Sequence, residues 1–240
     1  MGAAQSPFAA VAWDVDGTLV DSEPRHHRAL LRASKLFRVT LDHLPEDTYR
    51  GIHMLDVWKE LRGLYPAKLT RDEWLAAINA EYIADRVAMQ PMPGAVEAIR
   101  ALSAAGIPQV CVSNSNRAIV VANLEAIGVG ELMAGLVTLD DVAAGKPHPG
   151  PYRDGCALLG LHPARVVAVE DSIAGLRSAR SAGLFTVGYA GEGAASPPGA
   201  DLSTRDLADV VRLVRDGVPA MLTARWTADY ARSREERVGA

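Results

Sequence analysis

The sequence predicts an α/β fold, a doubly wound parallel sheet that is interrupted after its first strand by a helical insertion. Two observations carry this. Short apolar runs, each ending in polar or Gly-rich punctuation, recur along the chain with helical patterns between most of them, and strands that alternate with helices form a parallel sheet covered on both faces. The interval from about Ser22 to Pro91 is far too long for a single crossover and reads as several helices. The expected organisation is therefore an α/β core made of residues 1–21 and 92–240, with residues 22–91 forming a small helical domain.

The first strand is the run AAVAW, ending directly before Asp14. Within the insertion, Leu30, Leu31, Ser34 and Phe37 begin one helix. Met54, Val57, Trp58 and Leu61 form a second, and Trp74, Leu75, Ile78 and Tyr82 a third. The insertion is expected over the strand ends, where open α/β sheets bind ligands. Beyond it, Val96, Ile99 and Leu102 mark a helix over 94–105, and PQVCV a strand before Ser113. Val120, Leu124 and Ile127 give a helix that stops at Gly128, and GLVTL a strand before Asp140. Cys156 falls on a helix, and RVVAV is a strand before Glu170. Ser172 can cap a helix running to Gly183 with Ile173, Leu176 and Ala179 inward, and FTVGYA is a strand before Gly191. The charged stretch from Arg225 to Ala240 reads as a solvated final helix or a frayed end.

Composition narrows the partners. The 240 residues carry 25 Lys and Arg against 29 Asp and Glu, a formal charge of −4 without any basic block. That balance argues against nucleic acid, which is held by clustered cations, and points to small molecules. No apolar run approaches the roughly 18 residues needed to cross a bilayer, so no membrane association is expected. The N-terminus lacks a secretory pattern, and its Met-Gly-x-x-x-Ser match to a myristoylation signal at Gly2 is short enough to arise by chance. Two cysteines, Cys111 and Cys156, sit in apolar surroundings without a Cys-x-x-Cys motif, which fits reduced thiols in the cytoplasm. The sequence carries no signal for an oligomeric state.

The chemistry begins at Asp14-Val15-Asp16-Gly17-Thr18, at the end of the first strand. Residues i and i+2 of an extended backbone face the same side roughly 6–7 Å apart, so Asp14 and Asp16 can flank one reacting group, one attacking and the other handling the proton. A turn-capping pair is the bland alternative. A calcium loop is a second, but it requires Gly at its sixth position and Glu at its twelfth, where Leu19 and Arg25 stand. Three further sites follow strand ends. Ser113-Asn114-Ser115 can hold phosphoryl oxygens with a hydroxyl and backbone amides, although such a sequence is more often only a turn. Lys146 lies in a loop stiffened by Pro147 and Pro149 and can neutralise an anion there. Glu170-Asp171-Ser172 opens a helix, where acidic residues serve as caps. Facing Asp14, they would instead form a hard oxygen site for Mg²⁺.

In this order the residues resemble the haloacid dehalogenase-like superfamily over nearly the whole chain, and the insertion resembles the helical cap of its phosphoglycolate phosphatase and β-phosphoglucomutase branch. The resemblance implies a Rossmann-like core and gives each residue a role. Asp14 is the nucleophile that forms an aspartyl-phosphate, and Asp16 the general acid and base. Ser113, Asn114 and Lys146 bind the phosphoryl group. Mg²⁺ is held by Asp14, the Asp16 carbonyl and Asp171, with Glu170 either ligating or orienting a metal-bound water. Phosphonate-cleaving and dehalogenating relatives lack the second aspartate, so the presence of Asp16 points to a phosphatase acting on a small phosphorylated metabolite, such as a sugar phosphate. His26, Arg50 and His53 are the expected substrate residues of the cap. A phosphosugar mutase of the β-phosphoglucomutase kind is the alternative, with Ser22 and His26 at its hinge positions. Its cap Arg and Lys align with Met54 and Ile78 here, both apolar. A phospho-aspartate regulatory module is a third reading, but it has no need of a helical insertion or a second aspartate.

Overall fold

A computed structural model describes residues 6–50, 52, 54–85, 87–191 and 195–217. Gly2, His53 and the tail from Arg225 to Ala240 lie outside the described residues. Six parallel strands form one sheet: β1 (Ala10–Trp13), β4 (Gln109–Val112), β5 (Gly135–Val137), β6 (Val166–Glu170), β7 (Phe185–Tyr189) and β8 (Leu202–Thr204), in the spatial order β5-β4-β1-β6-β7-β8. A short antiparallel ribbon pairs β2 (Val20–Asp21) with β3 (Gln90–Pro91), Val20 opposite Pro91. The sheet is the doubly wound parallel one that the apolar runs predict. Its edge strand β8 and the helix after it are additions, because a run of only three residues, Leu-Ser-Thr, lacks an apolar signature.

Alternation along the strands explains why both faces are covered. Val11 and Trp13 of β1, Cys111 of β4 and Val167 and Val169 of β6 point to one face, where α4 (Ala95–Ala104), α5 (Arg117–Ala126) and α8 (Ala208–Asp216) pack. Ala10 and Ala12, Val110 and Val112, and Val166 and Ala168 point to the other, against α6 (Gly150–Leu159) and α7 (Ile173–Ala182). Every residue of β1, β4 and β6 is buried, so these strands read as continuous apolar runs rather than alternating ones. The Ser172 side chain caps α7 by accepting from the Gly175 amide, and Gly183 ends it in a left-handed conformation. Leu176 and Ala179 are buried as expected, but Ile173 is 48% exposed. It is the first residue of α7, so it precedes the turns that meet the sheet.

Between β2 and β3 lie α1 (Glu23–Leu36), α2 (Met54–Leu61) and α3 (Arg71–Ala84). Helix α1 starts well before the apolar stripe that announces it, directly after Ser22 and with a proline in its first turn, where the missing N–H costs nothing. Helix α3 opens on a capping box, Thr70 accepting from the Glu73 amide while Glu73 accepts from the Thr70 amide. Its buried Trp74, Ile78 and Tyr82 recur every four residues and join the apolar core. Trp58, Tyr65 and Trp74 pack as an aromatic group, with Trp58 and Trp74 ring centroids 5.2 Å apart. This cluster is continuous with the apolar residues around α5, so the helical segment shares one core with the sheet.

Candidate active site

The sheet order brings the site together. Strands β4 and β6 flank β1, and the chain leaves β1 for opposite wings of the sheet. The carboxyl ends of these three strands therefore border a crevice at the topological switch point. Asp14 follows β1 but stays in register, its amide donating to the Val169 carbonyl at 3.0 Å. The next residues form a tight turn in which the Val15 carbonyl accepts from the amides of Thr18, Leu19 and Val20. Gly17 makes that turn possible at φ +83°, and a Cβ there would sit 2.1 Å from Asp171 Oδ2. Gly175 plays the matching part on the other side, since a Cβ would lie 1.9 Å from the Glu170 carboxyl carbon.

Lys146 is the hub of the charged side. Its Nζ donates to Asp14 Oδ1 at 2.6 Å, to the Val112 carbonyl at 2.6 Å and to Glu170 Oε1 at 2.5 Å, so all three of its donors have partners. Burial works against this charge, but Asp14 and Glu170 outweigh it and hold the ammonium firmly protonated. Glu170, fully buried, also accepts from Tyr152 Oη at 2.7 Å and Ser172 Oγ at 3.0 Å. Asp14 keeps its Oδ2 buried without a hydrogen-bond partner among the described residues. Carboxylate oxygens of Asp14, Glu170 and Asp171 lie within 4.8 Å of one another. Burial, and then the charge of Glu170, push Asp14 well above the usual carboxylate range, and the same two causes push Asp171 up to about 7. Three carboxylates against one ammonium leave a local excess of negative charge that a divalent cation would relieve.

Asp16 occupies a different environment. Ser115 Oγ donates to its Oδ2 at 2.7 Å, Ser113 Oγ approaches the same oxygen at 3.5 Å, and Asn123 Nδ2 donates to its Oδ1 at 3.2 Å. His26 Nε2 lies 4.0 Å from Oδ1. Ser113 stays in the β4–β5 ladder through its amide, which donates to the Val137 carbonyl. The Asn114 side chain meets the backbone of Lys146 twice, accepting from its amide at 2.7 Å and donating to its carbonyl at 3.0 Å. That pair fastens the lysine loop to the loop after β4.

Of the residues that the sequence singles out, Asp14, Lys146, Glu170 and Asp171 form one cluster, and Asp16, Ser113 and His26 a second beside it. Arg50 lies in the segment between α1 and α2, its half-exposed guanidinium 4.0 Å from Asp21 of the ribbon. Trp58 packs on Tyr65 and Trp74, with Arg62 over its ring. Asn123 and Tyr152 do not stand out in the sequence as site residues. A polar side chain on the apolar stripe of α5, between Val120 and Leu124, was the available signal for Asn123. Tyr152, directly after Pro151 in α6, carried none.

The family model for haloacid dehalogenase-like hydrolases matches residues 8–183. Over 240 aligned residues the chain is 31% identical to the plasmid-encoded phosphoglycolate phosphatase of Cupriavidus necator, covering 93% of this chain and 96% of that protein. It is 29% identical over 205 residues to the validoxylamine A 7′-phosphate phosphatase of Streptomyces hygroscopicus subsp. limoneus, covering 85% and 96% respectively. A crystal structure of a CbbY variant from Rhodobacter sphaeroides, in complex with xylulose-(1,5)bisphosphate, superposes with a TM-score of 0.74 at 26% identity, covering 84% of this chain and 96% of that one. Switch-point crevice, strand-end carboxylates and matched sequence agree: the chain belongs to the haloacid dehalogenase-like hydrolase family.

Proposed function

We propose that this enzyme is a phosphoric monoester hydrolase that removes phosphate from a small phosphorylated metabolite, of the sugar phosphate class, through an aspartyl-phosphate on Asp14. The observation that carries the reading is the contrast between its two strand-end aspartates. Asp14 sits in a buried charged cluster, whereas Asp16 is held by neutral donors two residues on. Asp14 attacks phosphorus in line, Asp16 gives a proton to the departing alcohol, and Asp16 then takes one from the water that cleaves the intermediate. Ser113 and the backbone around Asn114 receive the phosphoryl oxygens, with Lys146 adding positive charge. The small phosphorylated molecules named for the two phosphatase relatives agree with this.

A divalent cation fits the residues present. The buried and unpartnered Asp14 Oδ2, the raised Asp171 and the all-oxygen donor set match Mg²⁺, which would be held by Asp14, the Asp16 carbonyl and Asp171. When bound, it supplies charge neutralisation for phosphoryl transfer. Glu170, already accepting from Lys146, Tyr152 and Ser172, better suits the role of orienting this group than that of ligand.

Residues 22–91 are read as a cap over the crevice, with His26 Nε2 4.0 Å from Asp16 Oδ1 and Arg50 and His53 further candidates for substrate contact. The reduced state of Cys111 and Cys156, both free and buried, favours a cytoplasmic compartment, and among the described residues no helix is long and apolar enough to cross a membrane. The mutase alternative gains no support: Ile78 is buried and Met54 packs against the core, and neither can bind a second phosphate dianion. Supplying β-glucose 1-phosphate with a bisphosphate primer and Mg²⁺ is expected to give inorganic phosphate or no reaction. Sustained formation of glucose 6-phosphate would overturn the phosphatase reading, and a panel of phosphorylated metabolites identifies the substrate.

A further inference from the structure

Asn123 is fully buried on α5, and a leucine would suit its place between Val120 and Leu124. Its amide instead joins two other parts of the molecule. On one side Nδ2 donates to Asp16 Oδ1 at 3.2 Å, and on the other Oδ1 accepts from Tyr82 Oη of α3 at 2.8 Å. Tyr82 is itself fully buried, with the His26 ring against it at 4.5 Å and Arg25 over its face at 5.5 Å. Burial, and then the charge of Asp16, push its hydroxyl upward, so it remains protonated and able to donate. Accepting from that donor keeps Oδ1 on the Tyr82 side and turns the NH₂ toward Asp16, whereas the reverse orientation would set an amide oxygen against the Asp16 carboxylate.

We propose that Asn123 is a positioning residue for the known reaction of the family: its amide, locked in orientation by Tyr82, holds the Asp16 carboxyl group where it exchanges protons with the substrate. Ser115 fixes the second oxygen of the same carboxyl group, so Asp16 is held from two directions, and the Asn123 side reaches through Tyr82 into the helical segment. A buried asparagine must be hydrogen-bonded wherever it sits. Here its partners are the proton-transfer group and a tyrosine 41 residues away in α3, a bridge that packing of α5 alone does not require. The inference rests on the phosphatase reading, since it assigns Asn123 a part only through Asp16.

The test is a leaving-group series of substituted phenyl phosphates, from p-nitrophenyl to p-methoxyphenyl, turned over by the full chain with Mg²⁺. The quantity read is kcat/KM, which covers only the steps up to formation of the phospho-enzyme. A nitrophenolate leaves without a proton, whereas a methoxyphenol needs one. Asn123→Leu is expected to lose about 10-fold on the p-methoxyphenyl ester and less than about 2-fold on the p-nitrophenyl ester. Tyr82→Phe frees the amide to rotate and is expected to shift the same ratio by about 3-fold. It also provides the test if Asn123→Leu does not fold. The double variant should shift the ratio no further than Asn123→Leu alone, because Tyr82 acts through Asn123. An equal loss across the series would make the role purely structural and overturn the inference. So would an unchanged series in variants with a normal Tm. A wild-type protein inert toward every ester would overturn the phosphatase reading, and this inference with it.

Discussion

The two sides of the crevice are built by opposite rules. Around Asp14 the groups are charged and buried. One ammonium meets two carboxylates and a carbonyl at 2.5–2.6 Å, and a third carboxylate stands within 4.8 Å of the others. Around Asp16 the directly bonded partners are neutral, two hydroxyls and an amide, and its side chain keeps 25% exposure. The difference matches the two tasks proposed for Asp14 and Asp16. A site that receives a phosphoryl dianion gains from fixed charges prepared in a dry environment. A group that alternates between acid and base gains from contacts that tolerate both of its protonation states and from access to water.

Breaking the charged side at its centre should have the largest effect. Asp14→Asn keeps the shape of the side chain but removes the nucleophile, and turnover of p-nitrophenyl phosphate should fall by at least about 10⁴-fold. Near-normal turnover at an unchanged Tm would remove Asp14 from the mechanism. On the neutral side, Asp16→Asn should cost on the order of 10³-fold with phenyl phosphate but far less with the p-nitrophenyl ester. Equal losses would mean that proton donation is not its main task.

The third prediction concerns the cation. Asp171→Asn should raise the Mg²⁺ concentration for half-maximal activity by about 100-fold, and chelation should silence the native enzyme. Full activity in excess chelator defeats the assignment. A pH dependence follows from Asp171, raised to about 7 by burial and Glu170. In the metal-free protein the folded state keeps a proton that the unfolded chain has already released. The resulting stability is therefore present on the acid side and is lost as pH rises from the ordinary carboxylate range through about 7. Mg²⁺ requires the carboxylate, so its affinity should rise over the same window by up to about tenfold per pH unit. Calorimetric titrations between pH 5 and pH 8 that give one constant affinity would contradict this. The smallest effect is expected from Ser115→Ala, which removes one of the neutral donors to Asp16. A loss of about 5-fold on phenyl phosphate, with the p-nitrophenyl ester nearly unaffected, would place Ser115 beside Asn123 in function. A loss of the size caused by Asp14→Asn would mean that the two sides are not separable.

Much of this is legible in the sequence. The runs before Asp14, Ser113 and Glu170 became β1, β4 and β6 because an uninterrupted apolar stretch between turn residues suits a strand covered on both faces. Ser172 and Gly183 bound α7 as their cap chemistry requires. Less was legible where a short or mixed segment depends on neighbours, as in β8, or where a stripe begins before its helix reaches the sheet, as at Ile173. Nothing in the sequence around Arg50 told that its guanidinium would lie near Asp21 of the ribbon.

The sequence by itself determined which chemistry was available: two carboxylates two residues apart after a buried strand, a lysine in a proline-stiffened loop and an acidic pair opening a helix. Those features are local, since strand geometry and capping act over a few residues. Only the tertiary structure decided which groups meet. Lys146 reaches Asp14 across 132 residues and Asn123 reaches Asp16 across 107. Such pairings depend on the strand order, which puts β4 and β6 on either side of β1, and on the packing of α3 against α5. The energy of a contact is set by distance and burial, and the periodicity of a single element encodes neither for a partner more than a hundred residues away.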